Sequence, residues 1–245
     1  MVAAAERMLS RWTEPGVRAI DADMTDVTFD GLSAPIFSGA TPDEIAALKR
    51  HIDRYLDTTS WEIAYGILRL PEWLWHPRKR QMRTAALGLR ATIDRIIARE
   101  RANGWASGGL MAQLGAARDP ETGAPMSDVL IANNLLTFAA AGHETTAKAL
   151  TWTLYLLARA PQWQTAVRAE IEAICGREAV RADHVERMAI TMQVLKESMR
   201  LYPPAPVLTR VALRDIDLGG QSIKPGTLII MPVYVIHRHR KLWRD

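Results

Sequence analysis

Apolar residues recur along most of this chain at the three-and-four spacing of helices, and the period shortens to that of strands only near the C-terminal end. Residues 3–12 read as a first helix, closed by Pro15-Gly16, and residues 23–37 as a second, closed by Ser38-Gly39. Thr41-Pro42-Asp43-Glu44 is a helix start: Thr41 can cap, Pro42 suits the first turn, and Glu44 completes a capping box. That helix should run to about residue 58. Pro71 and Pro77 bracket a loop carrying Trp73 and Trp75, ahead of a helix over 78–102. A short helix near 110–116 comes next, and Ser127-Asp128 opens the longest one, to about residue 159. Pro161 opens another, which ends near Cys175-Gly176. A further helical stretch runs from Asp183 to Leu201, with or without a break. Beyond Pro203-Pro204, residues 207–213, 216–218 and 227–236 are rich in β-branched side chains and punctuated by Gly219-Gly220 and Pro225-Gly226. The expected fold class is mainly α, helical over about 1–202, with a small β-sheet over about 206–236. The 245 residues suffice for one sizeable core and show no internal repeat, so a single domain over 1–245 is expected.

Charge changes this picture little. The net charge of +4 comes largely from one stretch, in which Arg78, Lys79, Arg80, Arg83, Arg90, Arg95, Arg99 and Arg101 alternate with Leu87, Ile93, Ile96 and Ile97 at helical spacing. An amphipathic helix with a solvated basic face accounts for it. The alternatives are a docking face for an acidic partner and a nucleic-acid surface, but no nucleic-acid motif accompanies the charge. The apolar stretch 129–157 is interrupted by Asn133, Asn134, His143, Glu144 and Lys148, so no transmembrane segment is expected. The first residues lack the order of a secretory signal. The single cysteine, Cys175, excludes an intrachain disulfide and favours a reducing compartment, hence a cytoplasmic location. Both ends look cut: residue 1 falls almost directly into a helix, and residues 237–245 neither close a strand nor resemble a tail.

Two segments could carry chemistry. In Ala141-Gly142-His143-Glu144-Thr145-Thr146, a glycine inside a long helix costs about 1 kcal/mol relative to alanine. Small residues there would let a flat ligand approach the backbone. Glu144 and Thr145 offer a carboxylate and a hydroxyl able to pass protons into a site that excludes water. A small-residue seam for helix packing, with Glu144 exposed or salt-bridged, explains the same residues. Zinc is excluded because position 147 is alanine, not the second histidine of a His-Glu-x-x-His motif. In the other segment, Glu197 and Arg200 share a helix face and can pair. Exposed, such a pair is worth a few tenths of a kcal/mol; buried ahead of Tyr202-Pro203-Pro204-Ala205-Pro206, it would brace the helix against the chain beyond that proline run.

Together the two segments resemble the cytochrome P-450 family. The first is similar to its oxygen-activating helix motif, and Glu197-Ser198-Met199-Arg200 before Leu201-Tyr202-Pro203-Pro204 to its Glu-x-x-Arg helix. The resemblance extends through Asp119-Pro120-Glu121-Thr122-Gly123, Leu218-Gly219-Gly220 and Lys224-Pro225-Gly226-Thr227 to His237-Arg238. It implies an incomplete P-450-like fold and haem b as cofactor. It also implies a small organic substrate, O2, and an electron-donating reductase or ferredoxin-type partner. By resemblance, Thr145 bonds the activated oxygen, Glu144 joins the proton relay, and Ala141 and Gly142 face the haem. Glu197 and Arg200 form a structural ion pair, and Arg210 holds a haem propionate, with an exposed strand arginine as the plain alternative. The family's Phe-to-Cys haem loop does not occur in this sequence, and Cys175, lacking the preceding Phe and Gly, does not replace it. No iron ligand is therefore assigned. The expectation is a fragment of a haem monooxygenase that is inactive alone. A non-catalytic helical remnant of the scaffold and an unrelated helical enzyme are the other readings.

Overall fold

The computed structural model describes residues 1–14, 16–68, 70–71 and 73–243. Pro15 of the expected break, and Arg244 and Asp245 of the terminal run, lie outside them. The chain divides into two compact units, one made of Asp26–His143 with Ala3–Arg7, the other of Glu144 onward with Met8–Thr25. In chain order the helices up to the shared long one are α1 (Val2–Leu9), α2 (Ile20–Ile36), α3 (Pro42–Leu56), α4 (Thr59–Ile67), α5 (Lys79–Ala102), α6 (Gly109–Ala116) and α7 (Asp128–Ala158).

The first unit is helical. Its core joins Leu48 and Ile52 of α3, Leu89, Ile93, Ile96 and Ile97 of α5, and Ile131, Leu135 and Ala139 of α7, with Phe29, Phe37 and Met111. Burial of each large side chain contributes about 1.5–3 kcal/mol. The basic helix presents this face as its periodicity predicts, except that Leu87 is exposed and Leu89 takes the inward position. Close approach of α3 to α5 rests on Gly88, where a Cβ would lie 2.3 Å from the His51 ring.

Thr41 caps α3 as expected. Its hydroxyl accepts from the Glu44 N–H at 3.3 Å, and the Glu44 carboxylate accepts from the Thr41 N–H at 2.8 Å. That carboxylate also receives both Arg99 Nη groups, at 2.9 and 2.7 Å. Helix α4 was not legible as periodicity: its large side chains Trp61, Ile63, Tyr65 and Ile67 alternate rather than recur at helical spacing, and none of its nine residues is buried.

The second unit continues with α8 (Pro161–Cys175), α9 (Ala182–Val185) and α10 (Ala189–Leu201), then β1 (Leu208–Val211), β2 (Ile216–Leu218), β3 (Gln221–Ile223), β4 (Leu228–Met231) and α11 (Val233–Ile236). Glu170 of α8 caps α10, accepting from Ile190 N, Thr191 N and the Thr191 hydroxyl at 2.6, 2.8 and 2.7 Å. Among the described residues the strands form two antiparallel pairs, β1 with β4 and β2 with β3, rather than one sheet. The expected strand over 227–236 is also corrected. Pro232 has no N–H to continue the ladder, and after it Val233–Ile236 turns into helix despite its β-branched residues.

Candidate functional site: the open face of α7 and the Glu197–Arg200 pair

Ser127 precedes helix α7, and its hydroxyl accepts the Leu130 N–H at 3.3 Å. One stripe along it is packed: Ile131, Leu135, Ala139, His143 and Ala147 recur every fourth residue and are at most 4% exposed. On the opposite side, Phe138, Ala141, Thr145 and Trp152 are exposed, with Glu144 beside them. At 100° per residue, Phe138, Ala141, Thr145 and Trp152 fall within one narrow sector. The helix thus turns a small residue and a hydroxyl outward while burying the histidine between them.

Gly142 faces another way. A Cβ there would meet Leu32 Cδ1 of α2 at 3.1 Å, so its lack of a side chain serves helix packing. The neighbouring His143 ring meets the edge of Phe29 at 5.4 Å, and its carbonyl accepts from the Thr28 hydroxyl at 3.3 Å. Ala141 and Gly142, adjacent in sequence, therefore have different surroundings. Burial pushes the Asp53 carboxyl of α3 up, opposed chiefly by the nearby Lys49 charge. No hydrogen bond or ion pair engages the Glu144 carboxylate among the described residues.

Glu197 and Arg200 do meet. Arg200 Nε and Nη2 donate to the two carboxylate oxygens at 2.7 and 2.6 Å, and Nη1 donates to the His237 carbonyl at 2.8 Å. The guanidinium holds the Glu197 carboxyl below the usual range, and the carboxylate raises the arginine. The pair is not buried, since the Glu197 side chain is 54% exposed. Sequence reasoning missed the His237 carbonyl as a further partner of Arg200, 37 residues on, because a backbone acceptor leaves no residue-type signal. Arg210 stays apart on exposed β1: its Nη1 donates to the Thr209 carbonyl at 2.8 Å, and among the described residues it joins no other member of the set.

Two further features were not legible in the sequence. A recess of about 300 Å³ is lined by Ile52, Tyr55, Leu56, Ala86, Leu89, Leu136, Thr137 and Ala140, from α3, α5 and α7. The one thiol, on Cys175, is buried at the end of α8 with Sγ 3.3 Å from His184 Nδ1.

The cytochrome P-450 family model matches residues 4–245. The chain belongs to the cytochrome P-450 family. Among curated relatives it is 38% identical over 165 residues to cyclooctatin synthase of Streptomyces melanosporofaciens, covering 67% of this chain and 36% of that protein. It is 32% identical over 206 residues to cyclooctat-9-en-7-ol 5-monooxygenase of the same organism, covering 84% and 44%. Against pentalenene oxygenase of Streptomyces avermitilis it is 26% identical over 251 residues, covering 100% and 54%. The chain thus spans about half or less of the length of these relatives. The crystal structure of the cytochrome P-450DA heme domain aligns with a TM-score of 0.82 at 26% identity, covering 99% of this chain and 52% of that one. The chain accordingly has a mainly helical P-450-like fold, and haem b is the cofactor that membership of the family implies. The residues present suit a haem on one side only. The outward face of α7 admits a flat apolar group at Ala141, whereas a P-450 iron takes a thiolate as ligand and the one thiol here is buried against His184. Among the described residues no helix is long and apolar enough to cross a membrane.

Proposed function

We propose that these residues form the oxygen-side portion of a haem-dependent monooxygenase acting on a small apolar organic substrate, and that both units belong to one cytochrome P-450-like domain. The observation that carries this reading is the outward placement of Ala141, Glu144 and Thr145 on a helix whose other side is packed. A haem, when bound, supplies the redox chemistry of O2. The chain's own part is placement and proton handling. Ala141 leaves a gap for a flat ring. The Thr145 hydroxyl can both accept and donate a hydrogen bond, and the Glu144 carboxylate, reached by solvent, can reload it with a proton. The recess walled by Ile52, Leu56, Ala86, Leu89, Leu136 and Ala140 suits an apolar molecule, with Tyr55 and Thr137 as its polar points. This accords with relatives named as an oxygenase and a monooxygenase. Arg210 would take a propionate on exchanging its contact with the Thr209 carbonyl for a carboxylate. An electron-donating reductase or ferredoxin-type partner and a cytoplasmic location complete the reading.

Haem titration of the chain, followed by Soret absorbance, tests it. Saturable uptake is expected, with Ala141→Trp weakening it by about tenfold or more as the bulky ring fills the open face, and Glu144→Gln leaving it within about twofold. Equal uptake by Ala141→Trp, or none by the parent, would overturn the reading. Under carbon monoxide the reduced complex is expected to lack a thiolate-type Soret band, because Cys175 is engaged by His184.

A further inference from the structure

The recess between α3, α5 and α7 has two polar points on otherwise apolar walls, and their hydrogen-bonding states differ. The Thr137 hydroxyl of α7 donates to the Asn133 carbonyl one turn back, at 2.8 Å. With its proton committed there, it offers the recess only lone pairs. Across from it, the Tyr55 phenol of α3 has no hydrogen-bond partner among the described residues, so its proton is available to an incoming acceptor. One wall asks for a donor and the other supplies one.

The rest of the lining narrows what the occupant carries. Among the described residues no charged side chain lines the recess. A carboxylate or an ammonium group would lose water there without gaining a counter-charge. A ketone, ether or ester accepts from Tyr55 but leaves the Thr137 oxygen without a donor. A primary amide serves both points and brings a second N–H that they leave unmatched. A hydroxyl donates to Thr137 and accepts from Tyr55 through one oxygen, with the least polar surface to strip of water.

We propose that the recess selects an apolar alcohol, its hydroxyl held between Thr137 and Tyr55 and its hydrocarbon body against Leu89 and Leu136. Thr137 and Tyr55 are then the residues that set specificity, and the substrate reaches the site after an earlier reaction has installed its hydroxyl. The inference rests on the monooxygenase reading for calling the occupant a substrate, whereas the binding itself needs no haem.

The test titrates the chain with 2-adamantanol and 2-adamantanone, cage molecules of nearly one shape that differ in the hydroxyl proton. Calorimetry gives the affinities, and the methyl resonances of Leu136 and Ala140 report where the probes bind. The alcohol is expected to bind about fivefold or more tightly than the ketone. Thr137→Val keeps the shape of the side chain and should bring the two within about twofold of each other, by weakening the alcohol alone. Tyr55→Phe should weaken both probes about threefold or more, because each loses the phenol donor. Ala86→Trp should also weaken both, by filling the recess. Thr137 and Ala86 are exposed and Tyr55 is half-buried, so the circular dichroism of each variant should match the parent. Equal binding of the two probes by the parent, a preference that survives Thr137→Val, or binding that leaves the Leu136 and Ala140 methyls unmoved would overturn the proposal. Haem titration separates it from the reading beneath it. Haem uptake without an alcohol preference overturns the selectivity alone, while the preference without haem uptake upholds the selectivity and overturns the monooxygenase reading.

Discussion

Two glutamate–arginine pairs, one in each unit, have nearly the same local chemistry and different surroundings. Both are bidentate, and in both the arginine also reaches a backbone carbonyl, Gly39 for Arg99 and His237 for Arg200. Glu44, however, is only 14% exposed and also closes the capping box of α3, while Glu197 is 54% exposed and pairs within one helical turn. The Arg99 guanidinium, with the Thr41 N–H, holds the Glu44 carboxyl at about 2, against an ordinary 4.5. Glu197 is lowered in the same direction by one partner alone. Removal from water and the number of donors, not the pairing itself, separate a pair that fixes a fold from one that decorates a helix.

The largest way to break the first region is from below. Gly39 has φ +84°, which side chains rarely adopt, and an added Cβ would sit 2.2 Å from a Glu100 oxygen. Glu100 is itself buried and accepts from the Ser107 N–H and hydroxyl at 3.3 and 2.9 Å. Gly39→Ala should therefore cost about 3 kcal/mol, from backbone strain plus the loss of a buried carboxylate's donors. Urea denaturation measures it; a cost under about 1 kcal/mol would show that the site relaxes freely.

Arg99→Met comes next, at about 2 kcal/mol near neutral pH, since it leaves the capping box and removes the guanidinium. The pH dependence gives a sharper test. Because the Glu44 carboxyl is depressed in the folded chain, its stabilisation is complete above about 4.5 and is lost as pH falls from there towards about 2. Thermal melts across that window should show the parent losing its advantage over Arg99→Met progressively, until the two converge near pH 2.

The same contrast explains which features the sequence makes legible. The capping box lies within four consecutive residues and Glu197–Arg200 within one turn, so local spacing reveals both. The Glu44–Arg99 bond spans 55 residues, and only the packing of α3 on α5 creates it. Periodicity found α5 because one side of that helix is buried, and it misplaced Leu87 because six residues before Ile93 is about 120° round the helix, outside the stripe. It could not find α4, whose large side chains alternate and which buries nothing. At the candidate site, the hexapeptide was legible as a motif, but the division of labour inside it was not. Ala141 looks outward and Gly142 touches Leu32, a difference that depends on the rotation of α7 against α2 and not on residue type.

The smallest expected effect is the most diagnostic of the comparison. Glu197→Gln should cost only about 0.5 kcal/mol, because a half-exposed ion pair gains little over its hydrated parts. Arg200 keeps its bond to the His237 carbonyl and its place over the Trp243 ring, 5.2 Å from the centroid. The cost should shrink further in high salt, where exposed pairs are screened. It should also fade as pH drops through the depressed carboxyl, the same direction as at Glu44 but with a smaller amplitude. Denaturation of Glu197→Gln beside Arg99→Met, at low and high salt, decides whether surroundings or pairing sets the energy. Equal costs for the two changes would mean that the Glu197 pair braces α10 as strongly as a buried one, and that its exposed carboxylate is held by more than Arg200.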